Sequence, residues 1–329
     1  MKTGRRGLLA KGAGIVLAIL LVALFVSEQV ATIELQPSLP KPDALAEPRS
    51  PGQVGFPADR TRAEIPFDNP QTPEKIALGE KLFFDGRLSA DGTVACASCH
   101  NPDFAFTDRR PRSVGIGGRI GQRNAPTLLN ALYNQEQFWD GRAASLEQQA
   151  GFSITNSIEM GQPSMDAAVA AIAAIDDYPK RFLGVFGRPP NARDLARAIA
   201  AYERTLYSFN APFDHFLAGD KKAISDSAKR GWTLFNGQAY CNRCHAITID
   251  EPNFVNFTDY DYHNTGVGIV QHRVVPLARQ AERLVAAGDN GALDSAAIQS
   301  EMSALGRFLV TKDQIDIASF KTPACATCW

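Results

Sequence analysis

Two short stretches of this sequence combine residues that can hold both a porphyrin and its iron. Cys96–His100 reads CASCH and Cys241–His245 reads CNRCH. In the pattern Cys-x-x-Cys-His, the two thiols form thioether bonds to a haem and the adjacent histidine supplies the proximal iron ligand. The spacing therefore predicts two covalently bound c-type haems, held by Cys96, Cys99 and His100 and by Cys241, Cys244 and His245.

The same cysteines allow two plainer interpretations. All six cysteines of the chain fall within three Cys-x-x-Cys pairs, which in an exported protein also suit disulfides or a structural zinc ion. Zinc does not need a histidine directly after the second cysteine, whereas haem attachment does. The two Cys-x-x-Cys-His copies therefore favour haem.

A helix is predicted before each haem motif. Thr72 and Pro73 form a typical helix start, with a capping hydroxyl followed by proline at the first helical position. Before the second motif, Ser225 or Asp226 begins a helix that Gly237 ends. These elements would place each Cys-x-x-Cys-His on the short loop that follows a helix.

The chain as a whole is predicted to be mainly α, with two cytochrome c-like haem domains in tandem at 71–215 and 216–329. A helix between Asn191 and Phe209 is interpreted as the last of the first domain, because its apolar residues recur at helical spacing. Alternation typical of strands is scarce.

The N-terminus carries an export pattern. Lys2, Arg5, Arg6 and Lys11 precede an apolar stretch at 14–26, which predicts a signal segment within 1–35 and a periplasmic protein. A membrane contact is expected only if this segment stays uncleaved as an anchor. Residues 36–70 are rich in proline and are interpreted as a linker or arm.

Charge argues against one class of partner. The 329 residues carry a formal net charge of −1 and no long basic run. A nucleic-acid partner is therefore not expected, because such binding depends on clustered lysine and arginine.

Several stretches together resemble the bacterial di-haem cytochrome c peroxidase/MauG family. The resemblance runs from about Thr72 to Pro323. It is carried by these segments: LGEKLFFDGRLSADGTVACASCHNPDFAFTD (Leu78–Asp108), RNAPTLLN (Arg123–Asn130), FWDGRAASLEQQA (Phe138–Ala150), IEMG (Ile158–Gly161) and GRFLVTKD…FKTP (Gly306–Pro323).

This resemblance implies a peroxidatic first haem. In members that need reductive activation, a histidine caps that iron, and Ile116 stands at the matching position. Because isoleucine cannot bind iron, we expect an open iron without prior reduction. The distal acid–base groups of the family fall on Gln149 and Glu159, and its distal proline falls on Ser153. Taken alone, Glu159 would more plainly be a surface acid that caps a helix.

The resemblance also implies an electron route and a calcium ion. Trp139 matches the tryptophan between the two haems, although a tryptophan is more commonly a packing residue. Asn124 matches the side-chain ligand of a calcium bound between the domains. The second haem corresponds to the electron-transfer haem, whose axial ligand lies downstream of the KTP motif in the family.

These residues leave three functions and one inactive alternative open. The first is reduction of hydrogen peroxide with electrons from a small cytochrome c or cupredoxin. The second is MauG-like, peroxide-dependent oxidation of a partner protein. The others are a non-catalytic di-haem electron carrier, which would need both irons six-coordinate, and an inactive product.

The last possibility comes from the third cysteine pair, CATCW at 324–329. It lacks the histidine and so does not predict a third haem, and a disulfide between Cys325 and Cys328 would close a small, strained loop. One coding of this stretch, read in a shifted frame, gives Leu-Arg-Asn-Val-Leu, which is how the family continues. We therefore expect a single-base insertion or deletion near Pro323, which would remove the second haem's axial ligand.

Overall fold

Helices form most of the regular structure in the computed structural model of this chain. It describes residues 54, 56–247, 255–266, 274–288, 295 and 298–324, so the predicted signal segment, most of the predicted linker and Cys325 and Cys328 lie outside the described residues. Within them, no helix has both the length and the apolar character needed to cross a membrane.

The α-helices and strands, numbered along the described residues, have the following bounds. The helices are α1 Ala58–Ala63, α2 Pro73–Phe83, α3 Cys96–Cys99, α4 Leu146–Thr155, α5 Met165–Ala173, α6 Asp177–Phe186, α7 Ala192–Glu203, α8 Pro212–Leu217, α9 Asp226–Asn236, α10 Val274–Ala286 and α11 Phe308–Thr311. Short 3₁₀ helices lie at Gly86–Leu88, Pro102–Phe104, Ile116–Gly118, Ala131–Tyr133, Cys241–Arg243, Glu301–Leu305 and Gln314–Asp316. The strands are β1 Tyr262–His263 and β2 Phe320–Lys321, which pair antiparallel.

The helices that precede the two haem motifs form as predicted. The Thr72 side chain accepts a hydrogen bond from the Lys75 backbone N–H, and Pro73 is the first residue of α2. The Ser225 hydroxyl does the same for Ala228 at the start of α9, and Gly237 follows its end. Each cap satisfies a backbone donor that the first turn of a helix leaves unpaired.

The predicted helix between Asn191 and Phe209 is shorter than expected. Asn191 caps α7, but the helix ends at Glu203. Beyond it, the chain is held by Asn130, whose backbone N–H donates to the Leu206 carbonyl at 2.8 Å and whose side-chain oxygen accepts from Ser208 N–H at 3.0 Å. These bonds take backbone groups that a continued helix would use, so the tertiary contact ends the helix.

The core of the first half is built around the crossing of α2 and α7. A cluster of fully buried side chains fills the space between these helices and α4 to α6: Leu78, Leu82, Ile154, Ile172, Tyr178, Phe182, Leu195 and Ile199. Cys96 packs against this cluster from the first motif. The haem-binding loop is therefore anchored directly to the core.

Gly79 allows the two helices to approach closely, and this gives a first test. A Cβ at Gly79 would lie 1.9 Å from the Ala198 carbonyl oxygen, so Gly79→Ala must push α2 away from α7. We expect it to lower the free energy of unfolding by about 1–3 kcal/mol, measured by chemical denaturation.

Gly184 on α6 provides the matched control. A Cβ there meets nothing within 4 Å, and alanine is the better helix former by about 0.5–1 kcal/mol. Gly184→Ala should therefore hold or raise stability. Equal effects of the two substitutions would show that backbone contact at Gly79 does not limit the helix spacing.

All described residues belong to one compact unit. Its later part has its own apolar cluster, in which α10 packs on the 3₁₀ turn at Glu301–Leu305 and on α11. The short β1–β2 pair joins Tyr262 to Lys321. The domain boundary between residues 215 and 216 stays a prediction.

Candidate functional site

The histidines of the two Cys-x-x-Cys-His motifs are oriented in the same way. His100 Nδ1 lies 2.9 Å from the Phe106 carbonyl oxygen, and His245 Nδ1 lies 2.8 Å from that of Phe257. A carbonyl only accepts, so each Nδ1 carries the proton and each Nε2 keeps its lone pair. Burial lowers the pKa of His100. Both residues thus have the tautomer and the backbone anchor typical of an iron-ligating histidine.

The described cysteines are not cross-linked. Cys96, Cys99, Cys241 and Cys244 all have free thiols, and burial is the main cause of the raised pKa of Cys99, to about 11. The disulfide interpretation therefore finds no support in these two motifs. Free thiols beside an oriented histidine are what covalent haem attachment requires, so the residues fit a c-type haem at each motif.

The zinc interpretation fits less well. Among the described residues, one group of three could place its donor atoms around a metal ion: Cys244, Asp259 and His263. It leaves out both Cys241 and His245, and His263 Nε2 already lies 2.7 Å from the Asp259 carboxylate. Zinc would thus use only one residue of the second motif, whereas haem uses all three.

A cavity of about 410 Å³ lies beside the first motif. It is lined by seven of the residues that the sequence analysis singled out: Cys99, His100, Asn124, Trp139, Gln149, Ser153 and Glu159. The second half of the chain contributes as well, through Ser303, Lys321 and Pro323. Neither Cys96 nor the second motif lines this cavity.

Glu159 is an internal carboxyl group and not a surface cap. It lines the cavity, and Asn156 Nδ2 donates to its Oε1 at 2.7 Å. Burial raises the pKa of Glu159 above its usual value, opposed by the Ser153 hydroxyl, the Arg142 charge and the Asn156 amide. A carboxyl group whose pKa is raised in this way holds a proton more readily than an exposed one and is suited to accept and return it.

Gln149 and Ser153 reach the cavity from α4. They are four residues apart and therefore share a face of the helix. Gln149 Nε2 donates to Ser153 Oγ at 3.0 Å. The structure thus places both predicted distal side chains, Gln149 and Glu159, at the same cavity as Ser153.

The loop that carries Ile116 lies directly against the Glu159 segment. The Ile116 backbone N–H donates to the carbonyls of Ile158 and Glu159. A Cβ at Gly115 would meet the Ile158 oxygen at 2.0 Å, so only glycine permits this approach. The Ile116 side chain is 9% exposed and packs on Gly161 instead of lining the cavity.

Trp139 connects the two halves of the chain. Its indole Nε1 donates to the Asn124 carbonyl at 3.1 Å, and its own carbonyl accepts from Lys321 N–H at 2.8 Å. The tryptophan is therefore fixed between the first-motif half and β2. The structure places Asn124 at the cavity, and the calcium ion assigned to this residue stays a prediction.

Sequence reasoning missed the ion pairs that hold the Trp139 loop. Asp140, which is 2% exposed, pairs with Arg123 at 2.7 Å and with Arg142 at 3.1 Å. Arg123 also donates to the Ser303 carbonyl. In the sequence, the only sign of these ion pairs is the charged pair of Asp140 and Arg142 in WDGR, and it does not indicate that Arg123 is a further partner of Asp140.

A second ion pair fixes the same loop from the other side. Arg307 lies 2.8 Å from the Glu136 carboxylate, which also accepts from the Tyr262 hydroxyl at 2.6 Å. Arg307 donates further to the Asp140 and Gly141 carbonyls. Residues from 262 to 321 thus position a loop that belongs to the first half.

The second motif lies apart, within an aromatic group. Phe213 and Trp232 contact edge to face at 4.9 Å, and Trp232 stacks on Phe235 at 6.0 Å. Phe257, whose carbonyl anchors His245, packs on Phe213 at 5.4 Å. Aromatic surface of this kind suits the flat face of a porphyrin.

Comparison with known proteins agrees with this geometry. A family model described as di-haem cytochrome c peroxidase matches residues 73–222. The methylamine utilization protein MauG of Methylorubrum extorquens is 44% identical over 204 residues, which cover 61% of this chain and 56% of that protein. The cytochrome-c peroxidase IdrP1 of Pseudomonas sp. (strain SCT) is 36% identical over 268 residues, covering 79% of this chain and 67% of that protein.

A solved structure gives the same result for the fold. A MauG-like protein associated with microbial copper homeostasis matches with a TM-score of 0.60 at 29% identity, over 79% of this chain and 71% of that one. This likeness confirms the predicted mainly α, cytochrome c-like architecture. The chain spans only a little more than half of the MauG relative's length.

Proposed function

Because this chain belongs to the di-haem cytochrome c peroxidase family, we propose that it reduces hydrogen peroxide in the cavity beside the first motif. The observation that carries the proposal is the grouping of His100 and Glu159 around one cavity. A histidine that can ligate iron and a carboxyl group that can transfer a proton are the two protein groups that peroxide reduction at an iron requires.

Cys96, Cys99 and His100 would hold the first haem, and Cys241, Cys244 and His245 the second. When bound, these haems would supply the iron at which hydrogen peroxide takes up two electrons and two protons to give two water molecules. The chain's own residues contribute the proton chemistry. Glu159 accepts the proton of the incoming peroxide and returns it to the departing oxygen, while the Gln149 amide provides a neutral hydrogen bond across the cavity.

Electron supply is assigned to Trp139 and the second motif. The indole is held by Asn124 on one side, and its backbone by Lys321 on the other, so it lies at the junction of the two halves. The electrons would come from a small donor protein such as a cytochrome c or cupredoxin. A calcium ion on Asn124 and a periplasmic location, from the apolar N-terminal segment, are parts of the same proposal.

Ile116 favours a second candidate function. With isoleucine in a buried position on Gly161, the loop offers no ligand to the first iron. A permanently open iron suits peroxide-dependent oxidation of a partner protein, which does not depend on reductive activation. The two functions share the cavity and Glu159 and differ in where the electrons come from.

One preparation of the haem-loaded protein tests both candidates against an electron carrier. We expect two haems per chain, a high-spin ferric signal before any reduction, and consumption of peroxide with a reduced donor. Consumption that depends on a partner protein in place of a small donor would select the second candidate. Two low-spin irons and no peroxide consumption would establish a carrier and overturn the proposal.

A further inference from the structure

A short loop beside the cavity concentrates positive charge. Residues 108–121, called the arginine loop from here on, contain four arginines and one aspartate, so the segment has a net charge of +3. The whole chain has a net charge of −1, and all its other residues therefore carry −4 together. The four arginines are Arg109, Arg110, Arg112 and Arg119. The positive charge of this loop is a local feature of a protein that is otherwise acidic.

No carboxylate among the described residues neutralises these arginines. All four side chains are exposed, and none of them forms an ion pair within that part of the chain. The arginines that hold the Trp139 loop differ in this respect, because Arg123, Arg142 and Arg307 each pair with a carboxylate. The charge of the arginine loop thus remains available to attract an anionic group from outside the chain.

Hydrogen bonds hold the arginine loop in a fixed shape. The Ser113 backbone N–H donates to the Arg123 carbonyl at 3.0 Å, and the Ser113 carbonyl accepts from the Gly121 N–H at 2.8 Å. The Arg119 guanidinium donates to the Ser157 carbonyl, which ties the loop to the segment that precedes Glu159. A surface that is ordered before binding loses less conformational entropy when a partner arrives.

The composition of this surface is that of a protein interface. The Arg109 guanidinium lies 4.6 Å from the centroid of the Phe104 ring, which is 37% exposed. Ile120, within the loop, is 52% exposed. All cations of the loop are arginines and none is a lysine. Arginine and aromatic residues are enriched where proteins bind each other, whereas lysine is depleted there.

The arginine loop also forms part of the wall of the cavity. Ser113, Gly115 and Gly121 line the cavity together with His100 of the first motif. The Cys99 thiol lies 3.8 Å from the carbonyl of Val114, in the middle of the loop. A protein bound to the loop would therefore lie next to the first motif.

We propose that the arginine loop is a docking surface for an acidic protein, whose exposed carboxylates pair with Arg109, Arg110 and Arg112. This deepens the second candidate function and rests on it, because that function needs a partner protein close to the first motif. The proposal names the chemistry of that partner and the place where it binds. It adds no step to the reaction.

The charge distribution favours a protein over a larger polyanion. A guanidinium group pairs with a carboxylate through two parallel hydrogen bonds. An acidic patch on a small protein can contact the arginine loop alone. A membrane or a nucleic acid presents negative charge over a wider area, which the net charge of −4 outside the loop would repel.

The first experiment measures binding of a fluorescent polyglutamate peptide to the haem-loaded protein at low ionic strength, by anisotropy. We expect binding that weakens as salt is added. It should weaken by at least about tenfold in the double variant Arg109→Glu, Arg110→Glu, because attraction becomes repulsion. The neutral variant Arg109→Gln, Arg110→Gln should lie between this variant and the wild type.

A matched control changes the charge elsewhere by the same amount. Lys221 and Lys222 are adjacent, exposed cations between α8 and α9. The double variant Lys221→Glu, Lys222→Glu should bind the polyglutamate peptide within about twofold of the wild type, since it leaves the arginine loop intact. Haem content and thermal unfolding of each variant establish that it is folded.

A second experiment uses a protein as the partner. A small reduced cytochrome c is prepared with and without a polyglutamate tag, and its peroxide-dependent oxidation is followed at low ionic strength. The tag should raise the rate of oxidation by about tenfold, because opposite charges speed the encounter. The variant Arg109→Glu, Arg110→Glu should lose this advantage, and the variant Lys221→Glu, Lys222→Glu should keep it.

Each result supports or overturns the docking surface. Polyglutamate binding that survives in both arginine variants, or that is lost in the lysine variant, would overturn it. Tighter binding to vesicles of anionic phospholipid or to duplex DNA would also overturn it. Binding through the loop in a protein that consumes no peroxide would support the docking surface and reject the proposed function. Peroxide consumption without polyglutamate binding would do the reverse.

Discussion

Replacing Glu159 by glutamine is expected to slow the reaction with peroxide by about 10²–10⁴-fold. The amide fills the same space and its oxygen can still accept from Asn156, which lies 2.7 Å from the carboxylate in the wild type. What it lacks is the capacity to take a proton. The rate constant for the first reaction with peroxide, followed by rapid mixing, measures this loss directly.

The stability of the same variant separates a catalytic effect from misfolding. Burial raises the pKa of Glu159 above its ordinary value of 4.5. A carboxyl group with a raised folded pKa stabilises the fold less as pH rises from 4.5 through that value. Glutamine removes this dependence, so the variant should melt no lower than the wild type at pH 7.

Glu203 offers a matched control for this substitution. It is also a buried glutamate, 3% exposed, and burial raises its pKa to about 8, so it is mostly neutral near pH 7. It does not line the cavity. Glu203→Gln should leave the peroxide rate within a few-fold of wild type. A rate for Glu159→Gln that matches this control would remove Glu159 from the proposed mechanism.

Replacing Asp140 by asparagine is expected to lower the free energy of unfolding by about 3–5 kcal/mol. Its carboxylate, 2% exposed, is paired with Arg123 and Arg142. Asparagine keeps the shape but leaves two partly buried guanidinium groups without their counter-charge. Chemical denaturation of the haem-loaded protein measures the effect.

The pH dependence of this pair has a definite sign. Burial alone would raise the pKa of Asp140, but Arg123 and Arg142 hold it below its ordinary value of 3.8. A depressed folded pKa contributes stability above pH 3.8, which is lost as pH falls through the folded value. The difference in the free energy of unfolding between wild type and Asp140→Asn should therefore be largest at neutral pH and should shrink below about pH 4.

Asp177 provides the comparison on the surface. It pairs with Arg181 at 2.5 Å on α6, but its side chain is 46% exposed. Solvent screens such a pair, so Asp177→Asn should change stability little. If Asp140→Asn were equally mild, the buried pairs would not be what holds the Trp139 loop in place.

Several features were predictable because they depend on neighbours in the sequence. The haem motifs use residues at most four positions apart, so their chemistry is complete within Cys96–His100 and Cys241–His245. The caps at Thr72 and Ser225 are equally local, because a capping side chain bonds to a backbone group three residues later. The family resemblance added Gln149, Glu159 and Trp139, and the structure places all three at one cavity.

The end of α7 was not predictable from local pattern. Apolar spacing continues to Leu206, yet the helix ends at Glu203 because Asn130 bonds to Leu206 and Ser208. Asn130 is more than seventy positions away in the chain. Helical periodicity reports which face is apolar and does not report which distant residue competes for the backbone.

The sequence by itself determined the two haem motifs, the helices that lead into them and the mainly α class, since each follows from residues close together along the chain. Only the tertiary structure decided that Gln149 and Glu159 line one cavity, that Asp140 pairs with Arg123 and Arg142, and that residues of the second half hold the Trp139 loop in place. A hydrogen bond or ion pair depends on distance and direction in space. Arg307 and Glu136, for example, are 171 positions apart in the chain. No spacing pattern in the sequence indicates that two such distant residues form a contact.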